Sequence, residues 1–253
     1  MLRAPALFLL LTVGSTLRAD VRLLPALPNA ASSATMQLDA VGNIYVVGSF
    51  STAAKSPTSA FVAKLSADGK QVYYFTVLAG SVQDAATALA LGVDGSAFVA
   101  GNTTSFDFPV TAGALESSYS GGGTTEGFLV KVNPAGSIVY STFITGPSTT
   151  QLTGIALDGA GDVFLTGIGG PGYSPTSGLA LEGFVAEVNA ALNKVLLSIY
   201  GYGGGLITLD SQSNIYLAGS AQPEVTYTGA LQVLTLPPLP AGAFQSTHGA
   251  RFC

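Results

Sequence analysis

The sequence predicts an all-β protein, a β-propeller of repeated four-stranded antiparallel blades. Three observations predict it. A thirteen-residue pattern recurs four times, a second pattern follows three of those copies, and 32 glycines and 13 prolines punctuate short β-branched and aromatic runs.

The first pattern reads "MQLDAVGNIYVVG" (36–48), "LALGVDGSAFVAG" (89–101), "IALDGAGDVFLTG" (155–167) and "ITLDSQSNIYLAG" (207–219). Every copy ends in glycine, nine residues after Asp39, Gly92, Asp158 or Asp210. Those four positions lie 53, 66 and 52 residues apart, so the unit is constant while something inside it varies in length. The second pattern reads "FVAKLSADGKQVYYF" from Phe61, "FLVKVNPAGSIVYSTF" from Phe128 and "FVAEVNAALNKVLLSIY" from Phe184. Gly69 and Gly136 lie eight residues after their Phe, where the third copy has Leu192. Segments of unequal length join the two patterns, which places the insertions on one face, between the second and third strands.

Each pattern is two apolar runs separated by Gly, Asn or Asp, a hairpin signature, and two hairpins make one four-stranded unit. No stretch after residue 19 carries a sustained 3.6-residue period, so helix is minor. Repeats of this length and composition fit a propeller better than a solenoid; a β-sandwich is the competing architecture, but it does not demand repetition.

Residues 1–19, "MLRAPALFLLLTVGSTLRA", read as a secretory signal: Arg3, an apolar core over 4–13, then small residues. Ala19 and the Val13-Gly14-Ser15 stretch are rival cleavage sites, and an uncleaved anchor is the alternative. The apolar run is too short to span a bilayer, so no membrane span is expected after signal removal. Loss of Arg3 and Arg18 would take the net charge from −5 to −7. The expected location is secreted or cell-surface. Cys253 is the one cysteine, so no internal disulfide framework exists and stability must come from the core. With 9 Lys+Arg against 14 Asp+Glu and no basic run, nucleic acid is excluded as an expected partner. A chain 48% hydrophobic and 9% charged is not a disordered one.

A lead-in (20–34) precedes the repeats (35–253), which divide into units 35–87, 88–153, 154–205 and a partial 206–253. The fourth unit has only its first hairpin. "AGAFQSTHGA" (241–250) aligns with "AGALESSYSG" (112–121), which directly precedes a third strand. Three complete blades plus part of a fourth make an incomplete ring. "VRLL" (21–24) is the N-terminal candidate to complete the last blade, where two strands are needed. The expected partners are therefore further C-terminal blades, a second copy, or another surface protein.

The turns are the first candidates for chemistry. In Asp-x-x-Gly, the aspartate caps backbone N–H groups and the glycine takes a positive φ. Asp39 with Gly42 and Asp158 with Gly161 fit; Gly95 stands in a copy without the aspartate, and Asp210 is followed by Ser213. A calcium loop is the alternative, but each turn offers at most two acidic or amide side chains.

No catalytic, metal or cofactor residue is assigned. A glycosidase needs two carboxylates across a cleft; Asp107, Glu116 and Glu126 lie in the insertion of the second unit, and Glu182 and Glu187 flank the third "FVAEV". His248, the one histidine, sits near Cys253 in a terminal tail without a third group to orient a base. "GYGGG" (201–205) and "SGGGTT" (120–125) lack the Lys-Ser/Thr of a phosphate loop. The fourth-strand aromatics Tyr73, Tyr74, Phe75, Tyr140, Phe143 and Tyr200 are expected to pack between blades. Ligand-facing candidates are Phe106, Asp107, Phe108 and Tyr119 in the second insertion, and Tyr173 in the third.

Leu38–Gly48, Thr103–Leu115 ("TTSFDFPVTAGAL") and Phe128–Phe143 together resemble the bacterial β-propeller repeat family called SBBP. The resemblance covers roughly residues 35–250. It implies an exported propeller, often within larger surface proteins, with no shared catalytic residues. The expected function is thus a non-enzymatic scaffold or a surface for protein or glycan. The competing class is a propeller enzyme, a polysaccharide hydrolase or lyase using insertion-loop carboxylates.

Overall fold

The computed structural model describes residues 9–13, 19–23, 32–51, 56–119, 125–146, 149–170, 183–200 and 202–221. Among them there is no helix. The described residues form sixteen strands. β1 (Leu9–Val13) and β2 (Ala19–Leu23) pair with each other alone. Residues 21–23 of the segment expected to complete the last blade are thus in a strand, which among the described residues joins no blade.

Three meanders follow. The first blade is β3 (Ser32–Leu38), β4 (Ile44–Phe50), β5 (Ser59–Leu65) and β6 (Val72–Leu78). The second is β7 (Asp84–Leu91), β8 (Ala97–Thr103), β9 (Glu126–Val132) and β10 (Ile138–Ile144). The third is β11 (Gln151–Leu157), β12 (Val163–Ile168), β13 (Gly183–Val188) and β14 (Val195–Tyr200). β15 (Tyr202–Leu209) and β16 (Ile215–Ala221) form a two-stranded partial blade. Strands are antiparallel and in chain order within each sheet, and the first strands β3, β7, β11 and β15 lie side by side. This is a propeller arc, and the described residues do not close it into a ring. The first strands β7, β11 and β15 begin at Asp84, Gln151 and Tyr202. Each carries a bulge, at Ala86/Ala88, Leu152/Gly154 and Gly203/Leu206.

Alternation across each strand decides what packs where. On β8, Ala97 and Val99 face blade one; on β9, Phe128, Val130 and Val132 do the same. They meet Tyr45, Val47, Ala60 and Val62 in a shared core. Phe98, Ala100 and Leu129 face the other way, toward Val163, Leu165, Phe184 and Ala186 of blade three. Phe164 and Val185 in turn pack on Ile207 and Leu209 of the partial blade. Both faces of a central blade are buried, which is why its strands read as unbroken apolar runs. Ile44, Val46, Phe61, Ala63 and Leu65 form a separate cluster on the face of blade one that points away from blade two.

Polar groups reinforce the stacking. Tyr45 donates its hydroxyl to Gly95 O (3.2 Å) and Thr76 to Gly136 O (2.6 Å), tying blade one to blade two. Thr87 donates to Leu152 O (2.9 Å), and Asn102 accepts from Leu152 N (2.7 Å) and donates to its carbonyl, tying two to three. Thr153 repeats the Thr87 contact on Gly205 O (3.0 Å). Of the fourth-strand aromatics, Phe143 is buried and Tyr140 donates to Leu192 O of the next blade, but Tyr73 faces solvent. Its neighbour Tyr74 takes the inward position, edge-on to Tyr45, and alternation leaves Tyr73 outside.

The closing glycine of the first pattern has a common setting. Gly48, Gly101 and Gly167 lie in register with Phe61, Phe128 and Phe184 of the third strand. On the other side each meets the bulge of its first strand, between Ser33 and Thr35, Ala86 and Ala88, and Leu152 and Gly154. The extra residue sharpens the strand twist, and the missing Cβ admits the bulge and, at Gly101, the Phe128 ring.

Candidate functional site

The hairpin turns between first and second strands are built by their own aspartates. Asp39 accepts the N–H groups of Val41 (3.1 Å) and Asn43 (2.8 Å) and the Asn43 side-chain amide (2.8 Å). Asp158 accepts from Ala160 N and Asp162 N, both at 2.9 Å. Asp210 accepts from Gln212 N, Asn214 N, the Asn214 amide (2.7 Å) and the Tyr216 hydroxyl (3.2 Å). Hydrogen bonds to side-chain and backbone groups of Asn214 hold the Asp210 carboxyl below the usual aspartate value. In the second unit Gly92 keeps the backbone turn, and Asp94 caps Ser96 N (2.9 Å) from two residues further on. Gly42, Gly95 and Gly161 all have φ between 77° and 89°. Ser213 sits in the same region at 61°, where a side chain is strained.

The turns joining third to fourth strands use the same device, which sequence reasoning did not single out. Asn133 Oδ1 accepts from Ala135 N and Ser137 N, and Asn189 Oδ1 from Asn193 N and Lys194 N. The signal was legible as an Asn at the same position of two of the three second patterns, where the first copy has Ser66.

A side chain from the third strand completes each first turn. Lys64 places its Nζ 4.9 Å from the centre of the Tyr45 ring and 3.7 Å from Asp39. Lys131 does the same over Phe98 (4.9 Å) with Asp94 (3.4 Å). In blade three the corresponding residues are Phe164 and Glu187. Burial pushes the Glu187 carboxyl up, and the charges of Asp162 and Asp158 add to it. Because its folded value is raised, its favourable contribution is complete at acid pH and is lost as pH rises through that value. Glu187→Lys should therefore stabilise the chain at neutral pH by about 1 kcal/mol, through relief of repulsion and a new surface pair. Thermal melts at several pH values check this: the gain should shrink toward acid pH, where Glu187 is protonated. A gain independent of pH would count against it.

The insertion of blade two lies at the opposite end of the sheet. Phe106 is 72% exposed. Phe108 is not ligand-facing: it is buried, stacked on Phe128 with centroids 4.5 Å apart. A turn closed by Phe108 N donating to Ser105 O separates the two rings, sending Phe106 outward and Phe108 into the core. Tyr119 is half-buried, edge-on to Phe143 at 5.9 Å, so it too belongs mainly to packing. Asp107 is exposed and accepts Ser81 N and its hydroxyl, both at 2.9 Å, which hold its carboxyl below the usual range. Tyr173, Glu182, His248 and Cys253 lie outside the described residues, as does most of 120–125, whereas Tyr202–Gly205 open β15.

The residue that sequence reasoning missed is Asp84. It opens β7 in line with Thr103 and Glu126 on the neighbouring strands, and all three are buried. Asp84 accepts from Thr103 Oγ1 (2.5 Å), Gly80 N (2.8 Å) and Ser105 Oγ (3.2 Å). Burial nevertheless pushes its carboxyl up, aided by the nearby charge of Asp107. This network fastens the 80–84 segment to the start of the insertion. A carboxylate opening an otherwise small and apolar strand, "DAATALAL", was the available signal.

A shallow depression at the turn end of blade one, lined by Asn43, Ser66, Asp68, Lys70 and Tyr73, is open to solvent. Among the described residues, no group of three or more His, Cys, Asp or Glu is arranged to hold a metal ion, and no helix is long and apolar enough to cross a membrane.

No protein-family model matches the chain, and no curated protein matches it. Among solved structures it is similar to "Structure of Dos1 propeller", with a TM-score of 0.38 and 11% identity over 72% of this chain. The match spans 40% of that propeller chain.

Proposed function

We propose that this chain is an exported, non-catalytic propeller module of the SBBP repeat type, serving as a scaffold or interaction surface. The observation that carries this reading is the employment of its carboxylates. Asp39, Asp94, Asp158 and Asp210 each cap their own turn, Asp107 is held by Ser81, and Asp84 is buried under three donors. General acid and base work needs two carboxylates facing one accessible cleft, and these are dispersed over both ends of the blades. The secretory pattern of residues 1–19 and the repeat motifs support the exported and SBBP-like parts of the reading.

The test is a panel of purified polysaccharides incubated with the protein, read by new reducing ends and by the ultraviolet absorbance of unsaturated products. No turnover is expected. Turnover that disappears in Asp107→Asn would overturn the proposal in favour of a hydrolase or lyase.

A further inference from the structure

The fourth unit keeps the residues that flank the turn of the first, although the three between them differ. Asp39, Asn43, Ile44 and Tyr45 correspond to Asp210, Asn214, Ile215 and Tyr216. In both, the asparagine amide donates to the aspartate Oδ2, at 2.8 and 2.7 Å. What differs is the neighbour. In blade one, β5 lies against β4 with Lys64 opposite Tyr45 and Leu65 opposite Ile44. Lys64 then sits over the ring and beside Asp39. Among the described residues β16 has no partner except β15. The consequence is visible in exposure: Ile44, Tyr45 and Val46 are wholly buried, whereas Ile215, Tyr216 and Leu217 are 37, 51 and 39% exposed. The Tyr216 hydroxyl, which in Tyr45 reaches the next blade, turns back onto Asp210 instead.

We propose that the open edge of β16 binds an antiparallel strand of the pattern aromatic-x-x-lysine-apolar, the leading strand of a hairpin supplied by a different protein. The lysine lies opposite Tyr216, over its ring and beside Asp210. The edge supplies ladder hydrogen bonds, the exposed aliphatic side chains supply apolar area, and the carboxylate with the ring face selects a cation. Phe98 and Lys131 repeat the arrangement independently in blade two. Blade three, which has glutamate at the lysine position, has neither the asparagine amide on its aspartate nor a tyrosine, so it is not the template for the fourth unit.

This inference rests on the reading of the chain as an interaction module, and its test is separate from the polysaccharide assay. The probe is a synthetic peptide with the sequence of Ser59–Leu78, added in trans to the full chain. Binding is measured by calorimetry and located by hydrogen exchange of the Ile215–Ala221 amides. The peptide should bind and protect those amides. A peptide carrying Lys64→Glu should bind about tenfold more weakly or worse, because a like charge then faces Asp210. Asp210→Asn in the protein should weaken the parent peptide and narrow the gap between the two peptides. Failure of the parent peptide to bind, protection elsewhere, or equal binding of both peptides would overturn the proposal. So would protection of β16 that rises with protein concentration alone, which would assign the edge to a second copy. A protein without polysaccharide turnover that ignores the peptide loses this inference and keeps the non-catalytic reading.

Discussion

Gly101→Ala is expected to cost about 3 kcal/mol, the upper range for overpacking a core. A Cβ at Gly101 would stand 2.7 Å from Phe128 Cε1 and still closer to Phe128 Cζ and to the carbonyl oxygen of Ala85. Neither neighbour can retreat. Phe128 is fully buried and stacked on Phe108, and Ala85 is held by its pairing with Asn102, just ahead of the bulge at Ala86–Ala88. Gly159→Ala serves as the control, since nothing lies within 4 Å of its would-be Cβ, and it should fall within about 0.5 kcal/mol of the parent. Denaturant midpoints at constant m-value check both. Adding Phe128→Leu to Gly101→Ala should recover only part of the loss, because the Ala85 carbonyl stays in place. A Gly101→Ala protein as stable as the parent would mean that bulge and ring are free to move.

The other large effect is expected at Asp84. Asp84→Ala should cost about 3 kcal/mol, since it strands the Gly80 N–H and the Thr103 and Ser105 hydroxyls in a buried site. Asp84→Asn isolates the charge. Its amide oxygen can still accept from Gly80, and its nitrogen can donate to Thr103. The folded carboxyl is raised above the ordinary aspartate value of 3.8. The stability it contributes is therefore fully present below that value and is lost as pH rises through the folded one. The melting temperature of Asp84→Asn should gain on the parent as pH rises above 3.8 and through the raised folded value. The turn carboxylates, held below their usual values, act in the opposite sense at lower pH and cancel in the difference. A difference constant with pH would show that Asp84 titrates as an ordinary aspartate.

Much of the candidate site was legible in the sequence, and the part that was not has a definite cause. Asp39, Asp158 and Asp210 cap backbone groups two and four residues away, so the information lies within one turn. Phe106 and Phe108 are the contrary case. Two aromatics two residues apart look equivalent in an extended chain, and only the turn at Ser105–Phe108 sends one out and the other in. Asp84 was missed because its partners Thr103 and Ser105 lie 19 and 21 residues away, beyond any local motif. Lys64 and Lys131 stood in plain view within "FVAKL" and "FLVKV", but their aspartate and aromatic partners are on other strands.

The sequence by itself determined the repeat, the hairpin content, the turn chemistry and the half-formed fourth unit. These depend on periodicity and on hydrogen bonds between near neighbours, which a linear pattern records. Tertiary structure alone decided the direction of each side chain once blades stack: the burial of Phe108, the Asp84–Thr103–Ser105 network, and the contrast between buried Tyr45 and exposed Tyr216. Those outcomes depend on register between strands and on the presence or absence of a neighbouring strand. The same Asn-Ile-Tyr meets Lys64 in one place and, among the described residues, no third strand in the other, and no local rule distinguishes them.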